Sequence, residues 1–153
     1  MIAKKHTPND YKWHMRFIDL AAHVAKWSKD PSTQVGAVIV DDERRVVSLG
    51  YNGLPRGVQD ESYILNDKQI KLQIIKHAEE NAILNSLLRP GGCTIYVTHH
   101  PCASCAGSII QSGITRVVFP VSSPDSVFAQ RWQESTALAQ SIFNEAGVEV
   151  LDL

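Results

Sequence analysis

The feature that most constrains this chain is a pair of short segments that have to meet in space: His77-Ala78-Glu79 and, after 21 intervening residues, Pro101-Cys102-Ala103-Ser104-Cys105. Between them they offer one imidazole, one carboxylate and two thiols. That set can hold a divalent metal on three protein ligands, leave a fourth position open and keep an acid/base beside it. Ala82, Ile83, Leu87 and Leu88 recur at helical spacing behind His77, so an amphipathic helix is predicted from about His77 to Leu88, stopped by Arg89-Pro90-Gly91-Gly92. Within a helix His77 and Glu79 would project roughly 200° apart; only at the first turn can they share a pocket. The two cysteines, three positions apart, fall on one side of an opening turn. Pro101 suits a helix start, and Ala106, Ile109 and Ile110 continue an apolar face up to Gly113. Both thiols then sit where the backbone dipole favours thiolate, and so favours a metal.

Taken singly, each half has a plainer reading. C-x-x-C also marks a redox pair or half of a structural zinc knuckle, and H-x-E is common on helices. In this order, with the strand-like run Thr94-Ile95-Tyr96-Val97-Thr98 leading into Pro101, the pattern reads as a catalytic zinc site. A structural site would want a fourth protein ligand, and the nearby Cys93, following Gly92 at a strand entrance, reads as a small buried residue.

The 153 residues, 44% of them hydrophobic, suffice for one domain, 1–153, with a proper core. Three cysteines, two assigned to metal, leave no disulfide framework and point to a reducing, cytoplasmic compartment. The formal charge is −1, and Lys4-Lys5 and Arg44-Arg45 are only pairs, so a small substrate is expected rather than a polynucleotide. No stretch reaches membrane-span length, and Lys4, Lys5, Asn9 and Asp10 interrupt any leader-like apolar run; no membrane partner is expected.

The remaining elements alternate. Asp10 can cap a helix whose apolar positions Trp13, Phe17, Leu20, Val24 and Trp27 form a core stripe ending before Pro31. Val35 to Val40 and Val46 to Gly50, separated by Asp41-Asp42-Glu43, read as a hairpin. Residues 59–76 are expected to be partly helical. Strand Arg116 to Val121, a long helix from about Ser126 to Ala146 and strand Val148 to Leu151 complete five strands and four or five helices. Strands joined through helices are parallel, in a sheet covered on both faces.

The sequence resembles the deoxycytidylate deaminase family, of the phage type, within the zinc-dependent cytidine deaminase-like superfamily, whose signature is H-x-E followed by P-C-x-x-C. The likeness runs from about Phe17 to Val121. It includes Asp30-Pro31-Ser32-Thr33-Gln34-Val35-Gly36-Ala37, Gly50-Tyr51-Asn52-Gly53-Leu54-Pro55-Arg56-Gly57, His77-Ala78-Glu79-Glu80-Asn81-Ala82-Ile83 and His100-Pro101-Cys102-Ala103-Ser104-Cys105-Ala106. The resemblance implies a three-layer α/β/α fold on a five-stranded mixed sheet. It implies one zinc on His77, Cys102 and Cys105, with Glu79 moving protons, and hydrolysis of deoxycytidine monophosphate (dCMP) to deoxyuridine monophosphate (dUMP) and ammonia, supplying thymidylate synthesis. Asn52 becomes a contact to the nucleotide sugar, the Ala78 N–H meets the base carbonyl, and His99 and His100 wall the pocket, His100 being equally readable as a packed neighbour of Pro101. Tyr96 and Thr98 share one side of their strand and Val97 takes the other, so that one set could reach the base. Lys29 and Arg56 fall in segments like the family's substrate and effector loops, which places Tyr51, Gly53 and Arg56 near a regulatory nucleotide. Relatives are commonly homohexamers activated by dCTP and inhibited by dTTP, where Mg2+ can accompany the triphosphate, and apolar residues around Ile83 and Leu84 would permit subunit contacts. Two departures stand out: Val121-Ser122-Ser123-Pro124 replaces a stretch where many relatives carry tyrosine, and residues 57–76 lack the Cys and His of a second zinc. Competing readings are a deaminase of dCTP, of a free base or of cytosine in a polynucleotide, and a non-enzymatic nucleotide-binding zinc module. The tail from Ser126 onward carries no motif.

Overall fold

The computed structural model describes residues 5–153; Lys4, half of the first basic pair, lies outside them. The described residues form β1 (Gly36–Val40), β2 (Val46–Tyr51), β3 (Thr94–Val97), β4 (Arg116–Phe119) and β5 (Glu149–Asp152), with α1 (Pro8–Ala25), α2 (Ser62–Asn66), α3 (Lys68–Ile74), α4 (Ala78–Asn85), α5 (Ala103–Ser112) and α6 (Val127–Ala146) around them. The strands lie in the order β2-β1-β3-β4-β5. β1 pairs antiparallel with both β2 and β3, whereas β3, β4 and β5 run parallel, as helix crossovers require.

Strand alternation sorts the core into two layers. Val38, Val40, Tyr96 and Val118 turn to one face, where Phe17, Ile18 and Ala21 of α1 cover them. Ala37, Ile39, Ile95, Val97, Val117 and Phe119 turn to the other, under Ala78 and Ala82 of α4, Ala106 and Ile109 of α5, and Ala139 and Phe143 of α6. The result is the expected α/β/α sandwich on a five-stranded mixed sheet. Six helices replace the expected four or five, because 59–76 splits into the short α2 and α3 around Asp67, whose side chain caps α3 through the amides of Gln69 and Ile70.

Three local expectations need correction. Thr7, not Asp10, caps α1; Asp10 is the third helical residue and completes a capping box with Thr7. The helix ends at Ala25, so Trp27 leaves the core stripe and stands half-exposed, edge-on to Tyr51. Likewise α4 ends at Asn85 with Ser86 as its cap, and Leu87 and Leu88 lie beyond it in solvent, 98% and 78% exposed.

Gly50 decides where α4 can sit. A Cβ at Gly50 would clash with the backbone nitrogen of Ala82 and lie 2.6 Å from the carbonyl oxygen of Ala78. Only glycine lets α4 lie this close on β2. Ser48 Oγ donates to the Ala82 carbonyl at 2.6 Å and Asn81 Nδ2 to the Tyr51 carbonyl at 2.7 Å, fixing the helix there.

Candidate active site

α4 and α5 begin at the same end of the sheet, and their caps carry the chemistry. His77 is the cap of α4, held extended at φ −73° and ψ 158°, and Cys102 is the cap of α5 at φ −74° and ψ 169°. Because His77 stands outside the helix proper, the angular conflict with Glu79 vanishes. Cys105, the third residue of α5, completes the group.

His77 Nδ1 lies 3.6 Å from Cys102 Sγ and 3.3 Å from Cys105 Sγ, and all three donor atoms lie within 4.8 Å of one another. Tetrahedral zinc with Zn–N and Zn–S bonds of about 2.0–2.3 Å separates its ligand atoms by about 3.5 Å. The trio therefore fits zinc in spacing as well as in chemistry, and Nδ1 is the nitrogen that faces the sulfurs. The Cys105 thiol and then the His77 ring hold the Cys102 sulfur down to about 4, while that same shared proton and burial push the Cys105 thiol upward. Hydrogen bonding to Cys102 raises His77. Sharing one proton between the two thiols favours the thiolate on Cys102, the form a metal binds.

Glu79 sits beside this group, 4% exposed, and burial pushes its carboxyl up to about 7 against the opposing pull of its own backbone amide and of His77. A carboxylate balanced between its two protonation states near neutral pH is suited to taking up and returning a proton.

A cavity of about 90 Å³ opens onto His77, Glu79 and Cys102. Of the residues expected around a substrate, Asn52, Ala78, His99 and His100 line it. The Asn52 side chain is already engaged, accepting from the Val35 N–H and donating to the Thr33 carbonyl, each at 2.8 Å, so it also braces the loop on the cavity's flank. His99 packs on Phe128 with ring centroids 4.4 Å apart, and burial lowers its pKa, favouring the neutral imidazole. His100 lines the cavity, packs on Phe119 with ring centroids 4.4 Å apart, and donates from Nδ1 to the Pro101 carbonyl at 2.8 Å.

Other expected residues stand elsewhere. Thr98 accepts from the Gly36 amide and lies 2.9 Å from His99 Nδ1, steadying that ring from behind the cavity wall. Tyr96 turns to the α1 layer and meets His14, and Val97 is buried in the opposite core, so neither side of β3 supplies the cavity. Lys29 is exposed and ion-paired with Asp60 at 2.6 Å, off the cavity wall. Tyr51, Gly53 and Arg56 also lie off it; Gly53 exchanges backbone hydrogen bonds with Lys76, which ties their loop to the residue preceding His77.

The sequence reading missed two groups. Lys71 of α3 and Asp30 form a buried ion pair at 3.1 Å on the cavity wall, and Asp30 accepts further from the amides of Ser32 and Thr33. Phe128, Arg131 and Trp132, from the first turns of α6, close another side; the Trp132 ring stands perpendicular to His77 at 6.2 Å. Their spacing of three and four residues marks one helical face, the single trace of the site that the tail displays.

The sheet, the two helix starts and the His-Cys-Cys trio with its buried carboxylate define the cytidine deaminase-like class of zinc-binding hydrolases. The family model described as the cytidine and deoxycytidylate deaminase zinc-binding region matches residues 11–121, and the chain belongs to that family. It is 50% identical over 139 residues to an uncharacterized deaminase from the luxG 3′ region of Aliivibrio fischeri, covering 91% of this chain and 92% of that one. It is 40% identical to the human deoxycytidylate deaminase over 92% of this chain and 79% of that protein. The crystal structure of the dCMP deaminase of cyanophage S-TIM5 superposes with a TM-score of 0.72 at 22% identity, covering 97% of this chain and 100% of that one, a likeness of fold.

Proposed function

We propose that this protein is a single-domain zinc aminohydrolase, spanning 1–153, that converts dCMP and water to dUMP and ammonia. The observation that carries the reading is the meeting of His77 Nδ1, Cys102 Sγ and Cys105 Sγ beside the buried Glu79. The likeness to deoxycytidylate deaminases 40% identical over most of the chain supports the choice of nucleotide.

In this proposal His77, Cys102 and Cys105 hold one zinc. When bound, the metal acidifies a water to a pKa of about 7, so that a nucleophilic oxygen is available at neutral pH. Glu79 is placed to take one proton from the water that adds to C4 of the pyrimidine. Glu79 delivers that proton to N3 and passes the water's second proton to the amine nitrogen as the C4–N bond breaks, so that ammonia departs and the water's oxygen stays on C4 as the new carbonyl. The N–H of Ala78, at the start of α4, donates to the base carbonyl, with the helix dipole behind it. Asn52 uses its remaining hydrogen-bonding capacity on the sugar, and His99 and His100, backed by Phe128 and Phe119, wall the ring and exclude water.

We extend the reading, on the family resemblance alone, to a cytoplasmic hexamer activated by dCTP with Mg2+ and inhibited by dTTP, with Tyr51, Gly53 and Arg56 near the effector. Leu84, 71% exposed, together with Leu87 and Leu88 supports subunit contacts through that face. Among the described residues no helix is long and apolar enough to cross a membrane.

The test is a substrate panel of cytosine, deoxycytidine, dCMP, dCTP and single-stranded DNA, followed by ammonia release. The expected result is the highest kcat/KM on dCMP. Activity on DNA alone, or on none of the panel with zinc loaded, would overturn the proposal.

A further inference from the structure

The proposed substrate carries a dianionic phosphate, which needs a counter-charge within reach of the cavity. Among the described residues lining the cavity, two carry a permanent cation: Lys71 and Arg131. Lys71 is spent. Its Nζ lies 3.1 Å from Asp30 Oδ1 and 3.3 Å from Ser32 Oγ, deep in the wall. Arg131 differs on each count: it is exposed at the mouth, and no carboxylate lies within ion-pairing distance among the described residues. The basic residues named from sequence are no rivals, since Lys29 is held by Asp60 and neither it nor Arg56 reaches the wall.

Arg131 is also at the right remove from the chemistry. Its guanidinium carbon lies 5.7 Å from the Trp132 ring centroid, and that ring lies 6.2 Å from the His77 imidazole. Laid end to end, those two steps put the guanidinium within about 12 Å of the metal-facing imidazole, the length scale of a nucleoside monophosphate whose base stands at the metal. The indole beneath stiffens the guanidinium without consuming its N–H donors, which are arrayed to meet two phosphate oxygens together.

We propose that Arg131 is the phosphate-recognition residue of this deaminase, making the enzyme selective for the nucleotide over the nucleoside; the proposal rests on the dCMP reading. It deepens that reading by giving α6, which the sequence left without a motif, a role in specificity.

The experiment measures kcat/KM of zinc-loaded wild type, Arg131→Ala and Arg131→Lys on dCMP and on deoxycytidine, with calorimetric affinities for dCMP and deoxycytidine alongside. The expected result is that Arg131→Ala lowers the dCMP to deoxycytidine ratio about 10- to 100-fold, the range for losing a charge-assisted hydrogen-bonded pair. Lysine should restore part of the ratio, keeping the charge but not the two-pronged geometry. An unchanged ratio, or equal losses on both substrates, overturns the assignment. If wild type turns over neither substrate, the dCMP reading fails on its own, and the calorimetric ratio still decides Arg131: a preference for dCMP that the alanine variant abolishes supports it, and a preference that persists refutes it.

Discussion

Replacing Gly50 by alanine adds one methyl carbon where the structure has no room for it, and everything it meets is backbone. The added Cβ would clash with Ala82 N and lie 2.6 Å from Ala78 O and 2.8 Å from Asn81 C. An ordinary carbon contact is about 3.5–4.0 Å, so α4 has to retreat from β2 by about 1 Å or more. No flexible side chain can yield in its place. Overpacking of this kind typically costs about 1–3 kcal/mol, and the retreat also strains the Ser48 bond to the Ala82 carbonyl. At roughly 2–4 °C per kcal/mol for a chain of this size, Tm should fall by about 2–12 °C. The functional loss should be larger than the stability loss suggests, because α4 carries the His77 cap, Ala78 and Glu79 at its first turn. A displacement near 1 Å can cost on the order of 100-fold in rate. Thermal unfolding and kcat measured on the same zinc-loaded preparation test this, with Gly107→Ala as the control. Gly107 is helical with nothing within 4 Å of an added Cβ, so that variant should gain about 0.4–1 kcal/mol. A Gly50→Ala protein with wild-type Tm and kcat within twofold of normal would refute the argument that contact between β2 and α4 places the catalytic groups.

Glu79→Gln should keep one zinc and bind dCMP while losing turnover by several orders of magnitude, read by ammonia release at saturating substrate; near-normal release would remove Glu79 from its role. Lys71→Met should destabilise by about 2–4 kcal/mol in urea unfolding, because Asp30 is left buried without its cation, although two loop amides still bond it; no change would show that the pair does not anchor α3. Burial, with help from His6 and Arg116, lowers His14 from 6.5 to about 4. Between those values the unfolded chain holds the extra proton, so the stabilisation is complete above pH 6.5 and is lost as pH falls toward 4. Wild type should lose about 2 kcal/mol between pH 7 and pH 5 relative to a His14→Gln variant, measured by urea midpoints at each pH; parallel profiles would contradict it.

What the residues disclose in advance follows the range of the forces involved. The strands and the two metal-bearing helix starts are legible because alternation, a proline and a paired motif are local signals. Helix ends are less so: the apolar spacing that runs through Leu87 and Leu88 ignores the turn at Ser86, and both side chains project into solvent. Trp27 misleads in the same way, since its spacing continues a helix that the backbone has already ended at Ala25. The cavity's outer wall is the least legible part. Lys71 meets Asp30 across 41 positions and Trp132 meets His77 across a still longer stretch, and such contacts leave no local pattern. A buried lysine on a short helix reads as surface until its partner is seen. Asn52 was found through resemblance; its double bond to the Thr33–Val35 loop is a tertiary fact.

The proposed deamination depends on one zinc held by His77, Cys102 and Cys105. Elemental analysis of freshly purified protein, paired with ammonia release before and after chelation, tests it most directly, with Cys105→Ser carried through the same procedure. The expected result is one zinc per active chain, loss of activity on stripping with recovery on adding zinc back, and no bound zinc in the serine variant at neutral pH. Undiminished activity in metal-free protein, or a full equivalent retained by Cys105→Ser, would contradict it.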